Sequence, residues 1–190
     1  MTTLVFSDVH GSLSAARQMV ALIERYAPGT VILLGDMLYH GPRNRLPGGY
    51  DPGTVCGVLA PYAERIIAIK GNCDSEVDEV VLPFPLAPVF SWVIDGNLRI
   101  FATHGHRFGP HNLPPLAPGN VLLSGHTHVP MGTTTPDGIH LCNPGSFAMP
   151  KEGSPPCYGL FTDGIFQVLT ETGDVYLQLD CRAALSKAGQ

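Results

Sequence analysis

Residues 3–11 read TLVFSDVHG, so that a short apolar run leads directly into an acidic residue and a histidine. An apolar run of this length, rich in β-branched residues and stopped by glycine, is typical of a buried strand. The same pattern recurs at residues 30–36 (TVILLGD) and residues 66–74 (IIAIKGNCD). Amphipathic helices are predicted between these strands, at residues 12–26 and residues 51–59. Strands that alternate with helices in this way predict a parallel sheet with right-handed crossovers.

The second half of the chain is predicted to be rich in β-strands. Residues 89–94 and 98–103 are apolar and flank Asp95-Gly96-Asn97, which favours a hairpin. No repeat or linker separates the two halves, so we expect one α/β domain over residues 1–190, with residues 181–190 as a short helix or a frayed tail. Six further strands are predicted, at residues 121–124, 131–135, 139–142, 158–162, 164–170 and 175–179.

The composition disfavours several classes of function. The formal net charge is −5, and extended nucleic-acid binding is not expected because it depends on Lys and Arg. A small phosphate substrate remains compatible, because bound cations would reverse the local field. The five cysteines form no C-x-x-C pair, and neither a signal peptide nor an apolar run of ~20 residues is recognisable, so we expect a cytoplasmic protein without a membrane partner. A homo-oligomer is compatible with the sequence, although no heptad marks an interface.

Polar side chains that can bind metals follow five predicted strands at the point where each strand ends. Because ligands bind beyond the carboxyl ends of the strands in open α/β sheets, we expect these side chains to lie close together. Carboxylates and imidazoles in one set suit Mn, Fe, Zn or Ni better than Ca or Mg. We expect two divalent cations, with Mn²⁺ as the first choice and Zn, Fe, Ni or Mg as alternatives. The candidate ligands are Asp8, His10, Asp36, Asn72, His104, His126 and His128.

Each candidate ligand also has an ordinary structural interpretation when it is taken alone. Asp8 would cap the helix that follows it, and Asn72 would be a turn residue. His10 or His104 would be a hydrogen-bonded loop histidine. Two histidines at strand-end spacing, as in residues 125–128 (GHTH), rarely serve packing alone, and five such strand ends are difficult to explain structurally. The set as a whole therefore predicts the metal centre.

These motifs resemble, in order and spacing, those of the calcineurin-like metallophosphoesterase superfamily. A closer resemblance, over nearly the whole chain, is to the small bacterial phosphodiesterases of the YfcE type. The superfamily motifs are Asp8-Val9-His10, Gly35-Asp36, Gly71-Asn72-Cys73-Asp74, His104 and residues 125–128. The motifs of the closer group are residues 40–44 (HGPRN), 71–78 (GNCDSEVD), 103–106 (THGH) and 143–146 (NPGS).

The resemblance implies a four-layer α/β/β/α sandwich with two packed mixed β-sheets. It also implies two metal-binding sets that share one carboxylate. Two divalent cations would outweigh the charge of the carboxylates, so the site would attract a phosphoester within an acidic protein. One implied set is Asp8, His10, Asp36 and His128, and the other is Asp36, Asn72, His104 and His126.

One position departs from the superfamily pattern. Many members have Gly-Asn-His where this chain has Gly71-Asn72-Cys73, and that histidine is thought to protonate the leaving group or steady the phosphate. A thiol has an ordinary pKa of ~8.5 against ~6.5 for imidazole, and it is a weak hydrogen-bond donor. We therefore expect diminished help for poor leaving groups. A covalent role for Cys73 as the nucleophile is an alternative, but a metal-bound hydroxide already supplies a nucleophile.

Further candidate residues lie beside these motifs. Asp74 is expected to orient a histidine ligand or its neighbour, and His106 either touches substrate or is structural. Arg43, Asn44 and Arg45 lie on a loop that either binds a phosphate or a second substrate group or is simply solvated. Asn143 and Ser146 are expected to brace the turn beneath the site. The candidate catalytic residues are therefore Asn72, Cys73, Asp74 and His106, and the candidate substrate-binding residues are Arg43, Asn44 and Cys73.

The combined hypothesis is a phosphodiesterase that cleaves a small phosphodiester by in-line attack of a metal-bound hydroxide. One alternative is another enzyme of the same fold, such as a phosphomonoesterase, a nucleotide pyrophosphatase or a protein phosphatase. Another is a non-catalytic scaffold, as in the retromer subunit that shares this fold, which would predict lost metal ligands. Every expected ligand is present in the sequence, which favours the enzyme.

Overall fold

The computed structural model describes residues 2–182 and contains two β-sheets and a few helices. Within this range the strands are β1 (Thr2–Phe6), β2 (Thr30–Leu33), β3 (Ile66–Ile69), β4 (Leu86–Ala87), β5 (Phe90–Asp95), β6 (Leu98–Thr103), β7 (Val121–Leu123), β8 (Pro130–Thr134), β9 (His140–Pro144), β10 (Cys157–Thr162), β11 (Ile165–Thr170) and β12 (Val175–Asp180). The helices are α1 (Leu13–Tyr26), α2 (Pro52–Leu59), a 3-10 helix (Ala60–Arg65) and α3 (Glu76–Val81).

The first sheet has the strand order β12-β11-β10-β1-β2-β3-β4. Strands β1 to β4 run parallel, as the alternation with helices predicts, and β10 pairs antiparallel with β1. Alternate side chains of β1 face opposite sides of the sheet. Leu4 and Phe6 belong to the core beneath the helices, whereas Val5 belongs to the core between the sheets. Burial on both faces explains why this strand is a continuous apolar run.

Helix α1 begins and ends where the sequence predicts, and it fixes the loop that leaves β1. Ser12 caps the helix, because its Oγ accepts a hydrogen bond from the Ala15 N–H at 3.3 Å. At the other end, Ala27 adopts a left-handed conformation with φ 43°, and its N–H donates to the Ile23 carbonyl.

The second sheet has the strand order β5-β6-β7-β9-β8. Its three central strands are parallel, and β5 and β8 are antiparallel to their neighbours, with the predicted hairpin joining β5 to β6. The sheets face each other across a shared core, to which the first contributes Ile32 and Phe166 and the second Ile100 and Val121. Two packed mixed sheets confirm the predicted α/β sandwich.

The resemblance implies a layer of helices on the outer face of the second sheet, but a loop covers this face among residues 2–182. In the described range the helices all precede β4, and this face is covered by the loop between β6 and β7. Phe108 and Leu116 of that loop pack against Phe101 and Leu122. Four prolines between residues 110 and 118 remove backbone donors and prevent a continuous helix there.

The sequence does not predict three short elements, namely α3, β4 and the 3-10 helix. Strand β4 has two residues, and α3 leaves its valines exposed, so neither produces a recognisable apolar period. Of the helix or tail predicted at residues 181–190, only Cys181 and Arg182 lie within the described residues. No helix among residues 2–182 is both long and apolar enough to cross a membrane.

Candidate metal centre

The seven candidate ligands meet at one end of the sandwich. Four of them follow strands β1, β2 and β3 of the first sheet, and three follow β6 and β7 of the second. Neighbouring parallel strands end on the same side of a sheet, so the loops that follow them converge. Both sheets therefore contribute to the site.

One group of ligand atoms surrounds the carboxylate of Asp8. His128 Nε2 lies 3.3 Å from Asp8 Oδ1 and 3.4 Å from His10 Nε2. His10 Nε2 lies 3.8 Å from Asp8 Oδ1 and also 3.8 Å from Asp36 Oδ2. Donor atoms that are each ~2.1 Å from one cation lie roughly 3–4 Å from each other, so these separations suit a metal ion.

A second group of ligand atoms surrounds His104. Its Nε2 lies 3.5 Å from Asp36 Oδ2, 3.0 Å from Asn72 Oδ1 and 3.2 Å from His126 Nδ1. Asp36 Oδ2 is close to both groups, so it is the ligand atom that the two groups share. The structure thus brings the residues of both expected ligand sets together around Asp36.

The Asp8 carboxylate indicates that these residues fit a cation. Asp8 is completely buried, and its Oδ1 accepts no hydrogen bond among the described residues. Burial opposes ionisation of this group, but the neighbouring His128 and His104 rings and the Ser7 hydroxyl lower the pKa of Asp8 to about 2. The other oxygen, Oδ2, accepts hydrogen bonds from the Ser7 hydroxyl at 2.6 Å and the His126 N–H at 3.0 Å, so a cation at Oδ1 would complete the contacts of this buried carboxylate.

Three of the histidines are oriented by backbone carbonyl groups. In each of them Nδ1 lies within hydrogen-bond distance of a carbonyl oxygen, which can only accept, so Nδ1 carries a proton and the neutral form of the ring keeps its free lone pair on Nε2. That lone pair points at the neighbouring ligand atoms, as metal coordination requires. The pairs are His10 with Tyr39 (2.7 Å), His104 with Leu34 (2.7 Å) and His128 with Met149 (2.6 Å).

The backbone is strained at most of the candidate ligands. Five of them have a positive φ, a conformation that residues with a Cβ rarely adopt. Such a residue costs on the order of 1–3 kcal/mol and persists only where surrounding contacts hold it. The strain turns each side chain away from its strand and into the site. The φ values are 56° for Asp8, 51° for His10, 55° for Asp36, 67° for His126 and 62° for His128.

Within the described part of the chain, Asp74 contacts backbone N–H groups and not a histidine side chain. Its carboxylate accepts hydrogen bonds from the backbone N–H groups of Asp36 and Met37, each at 2.8 Å, and of Gly71 at 2.7 Å. Burial raises the pKa of Asp74, and the bonds from Gly71 and Met37 oppose that rise. Asp74 therefore connects the loops after β2 and β3 and holds the neighbouring ligand Asp36 in place.

Asn143 and Ser146 brace the site from below, as predicted. Asn143 Nδ2 donates to the Gly125 carbonyl at 2.9 Å and to Thr127 Oγ1 at 3.1 Å, which fixes the loop between the two histidines after β7. Ser146 Oγ donates to the Asp8 carbonyl at 2.9 Å. Both side chains therefore hold ligand-bearing loops.

A cleft with a volume of about 600 Å³ opens above the ligands. Arg43 and Asn44 both line it, and Asn44 Nδ2 donates to the His40 carbonyl at 2.8 Å, which steadies the loop. Lys151 also lines the cleft, although no sequence motif indicates this role. Its backbone N–H donates to the His128 carbonyl at 3.3 Å, and this contact exists only in the folded chain.

The other two predicted catalytic residues occupy different positions. Cys73 lines the cleft, and its backbone N–H donates to Asp36 Oδ1 at 2.8 Å. In the metal-free protein, burial and the Asp36 carboxylate raise the pKa of the Cys73 thiol to about 12, so the thiol is protonated there and is a poor nucleophile. His106 is exposed, with its ring centroid 5.4 Å from that of His104, and it is not among the described residues that line the cleft.

Comparison with known proteins supports a phosphoesterase. The sequence matches the model of the calcineurin-like phosphoesterase superfamily domain over residues 1–163. Phosphodiesterase YfcE of Escherichia coli K12 is 44% identical over 170 residues, which cover 89% of this chain and 92% of that protein. A solved structure of the E. coli phosphoesterase Yfce superposes with a TM-score of 0.93 at 40% identity, over 96% of this chain and 100% of the other.

A more distant structure shares the fold alone. Vps29 of Chaetomium thermophilum superposes with a TM-score of 0.60 at 16% identity, over 95% of this chain and 98% of the other. The superfamily match is more informative, because it covers most of the chain and includes all seven candidate ligands. The chain therefore belongs to the calcineurin-like phosphoesterase superfamily and is a metal-dependent phosphoester hydrolase.

Proposed function

We propose that the protein hydrolyses small phosphodiesters with two divalent cations. One cation would be held by the group around Asp8 and the other by the group around His104, with Asp36 shared. The observation that carries this proposal is the position of Asp36 Oδ2, which lies 3.8 Å from His10 Nε2 and 3.5 Å from His104 Nε2. A pair of such cations supplies an activated water and neutralises charge on a phosphoryl group during in-line displacement.

The chain's own cationic residues would orient the phosphate. Arg43 and Lys151 line the cleft in which the ligands lie. A guanidinium group binds two phosphate oxygens at once, whereas an ammonium group acts as a point charge. We assign to Arg43 the binding of the non-bridging oxygens and to Lys151 a supporting charge. Asn44 positions this loop through its bond to the His40 carbonyl.

Two observations favour a diester over a monoester. A relative that is 44% identical over most of the chain is named a phosphodiesterase. In addition, Cys73 stands where many superfamily members have histidine, and a thiol, with an ordinary pKa of ~8.5 and a weak S–H donor, is a poor proton donor to a leaving group. A substrate with a good leaving group needs little such help. Phosphomonoester hydrolysis is the second candidate, and turnover of a model monoester beside a model diester separates the two.

The donor set is compatible with Mn²⁺, our first choice for the site, and with Zn, Fe or Ni as alternatives. It combines four imidazole nitrogens with carboxylate and amide oxygens and includes no thiolate at the expected ligand positions. Borderline divalent cations such as Mn, Fe, Zn and Ni suit such a set. All five cysteines are free, in keeping with our proposal of a cytoplasmic enzyme. We also propose that residues 1–190 form a single domain, and a homo-oligomeric assembly is compatible with this proposal.

Substitution of the shared carboxylate tests the proposed function. Asp36→Asn removes the charge that both groups share, so we expect fewer than about one Mn²⁺ per chain and at least a ~100-fold loss of diester turnover. Elemental analysis and a diester assay measure the two effects. Asp137→Asn removes an exposed carboxylate from the turn between β8 and β9, and it should keep both properties. An Asp36→Asn protein with full Mn-dependent hydrolysis would contradict the proposal.

A further inference from the structure

A second pocket opens beside the metal cleft, and we refer to it as the annex. Its volume is about 410 Å³, and it shares Tyr39, Cys73 and Ser75 with the cleft, so the two spaces are adjacent. The described residues that line it include none of the seven candidate ligands. Its apolar walls are Leu38, Tyr39, Tyr50, Pro52, Val77 and Val81.

Helix α3 supplies one wall of the annex. Val77 is 68% exposed and Val81 is 50% exposed, so this helix presents apolar side chains to solvent. The helix is held by its N-terminal capping box, in which Asp78 Oδ2 accepts a hydrogen bond from the Ser75 N–H at 2.7 Å. A ligand that covers the two valines would therefore gain from the removal of apolar surface from water.

The annex and the cleft differ in charge. Arg43 and Lys151 line the cleft, whereas Asp78 is the one charged side chain among the described residues of the annex. A second phosphate in the annex would meet a carboxylate and no cation. An uncharged ring would instead meet Tyr39 and Tyr50, which favour aromatic contacts. The volume lies within the ~300–1,000 Å³ that is typical of small-molecule pockets.

We propose that the annex holds one uncharged aromatic ester group of a phosphodiester whose phosphate lies in the metal cleft. This inference rests on the proposed function and specifies its substrate class, a diester with an apolar ring on at least one side. The residues shared by the two pockets mark the position where the ester bond passes from the cleft into the annex. When the substrate has no such ring, water fills the annex.

Binding of two phosphonates to the Mn²⁺-loaded protein tests the proposal without turnover. Phenylphosphonate and methylphosphonate share the charged group and differ in the ring. We expect phenylphosphonate to bind on the order of tenfold more tightly, since filling an apolar pocket gives discrimination of this size. Isothermal titration calorimetry measures both constants, and their ratio reports on the annex alone because the phosphonate contacts are common to the two ligands.

Two pairs of variants locate the preference in the annex. Val77→Asn makes one wall polar, and Val80→Asn is its control, because Val80 is 84% exposed on the same helix and does not line the pocket. Gly53→Trp fills the pocket from α2, and Gly57→Trp is its control, because an added Cβ at either glycine has no atom closer than 3.9 Å. The ratio of the phenylphosphonate and methylphosphonate binding constants should fall to about one in Val77→Asn and Gly53→Trp. In both controls it should stay near the value of the unaltered protein.

Two results would contradict the proposal that the annex binds an aromatic ester group. One is a ratio near one in the unaltered protein, and the other is a ratio that Val77→Asn and Gly53→Trp leave as high as their controls do. Hydrolysis of a model diester, measured in parallel, tests the proposed function separately. If the protein hydrolyses diesters but binds both phosphonates equally, the proposal for the annex fails and the proposed phosphodiesterase function stands.

Discussion

The Cys73 thiol lies beside the Asp36 carboxylate. Cations bound to this carboxylate would offset its negative charge. Burial first, and then the negative charge of Asp36, raise the pKa of Cys73 to about 12 in the metal-free protein. A thiolate next to Asp36 is therefore rare at neutral pH. Cations bound to that carboxylate would oppose its charge, and the thiol pKa would fall toward its ordinary value. The reactivity of this one side chain thus reports on metal binding.

We expect Mn²⁺ to increase the rate at which Cys73 is alkylated. Iodoacetamide reacts with the thiolate, so at pH 8 the reaction should be slow in metal-free protein and at least about tenfold faster once Mn²⁺ is bound, since each unit of pKa changes the thiolate fraction tenfold. Mass spectrometry of peptides measures the rate, and Cys73→Ala identifies the signal. Cys56 is an internal control, because burial is the main reason that its pKa is raised and metal should leave its rate unchanged. Rapid alkylation of Cys73 before metal is added would contradict the expectation.

At the scale of elements, the loops after β2 and β3 approach each other too closely for a side chain on Gly71. A Cβ at Gly71 would overlap the Asp36 carboxylate and backbone nitrogen. The same two loops are joined by Asp74, which accepts N–H bonds from both. The position of Asp36 therefore depends on the fit of two strand ends rather than on its own strand alone.

Gly71→Ala should disturb the metal centre while leaving every ligand in the sequence. The added methyl group displaces Asp36, so we expect Mn²⁺ affinity to fall by at least about tenfold and the unfolding free energy to decrease by roughly 1–3 kcal/mol. Calorimetry and urea unfolding measure these quantities. Gly57→Ala is the control, because a Cβ there meets nothing within 4 Å and alanine in a helix is favoured by about 0.5–1 kcal/mol. Equal metal affinity in the two variants would show that the close approach is unimportant.

Most of the elements that carry the site were predictable from the sequence. Strands β1, β2 and β3 are largely buried apolar runs next to helices, and a polar turn follows each, so both the strand and its end can be recognised in the sequence. Helix α3 was not, because its exposed valines lack the period of a helix that packs on a core. Element boundaries differ from prediction by one or two residues at several strands.

The supporting contacts of the site were less predictable than its ligands. Lys151 lies in a loop without a motif, and it reaches the cleft because that loop packs on His128. Asp74 was expected to orient a histidine ligand or its neighbour, and its partners are backbone N–H groups, which every residue except proline has and which no sequence pattern distinguishes. The sequence shows the chemistry of each side chain, whereas contacts between side chains and the backbone depend on the tertiary structure.

At the scale of the whole molecule, the site joins the two sheets. The first sheet contributes Asp8 and Asp36 to it, and the second contributes His104 and His128, so negative charge comes from one sheet and imidazoles come from both. Beneath the site the sheets share one apolar core. A cation bound by ligands from both sheets would be lost on unfolding, so metal binding and global stability must be coupled.

Mn²⁺ should therefore raise the melting temperature of the protein. A ligand at about 100 times its Kd adds ~2.7 kcal/mol to the free energy of unfolding, and in a chain of this size each kcal/mol is worth roughly 2–4 °C, so we expect a shift of about 5–10 °C for one site. Differential scanning calorimetry with and without EDTA measures it. Asp36→Asn should lose most of the shift, whereas the exposed control Asp137→Asn should retain it. If Mn²⁺ stabilised Asp36→Asn as strongly as the unaltered chain, the ions would be bound elsewhere, and the buried carboxylates at the strand ends would need another explanation.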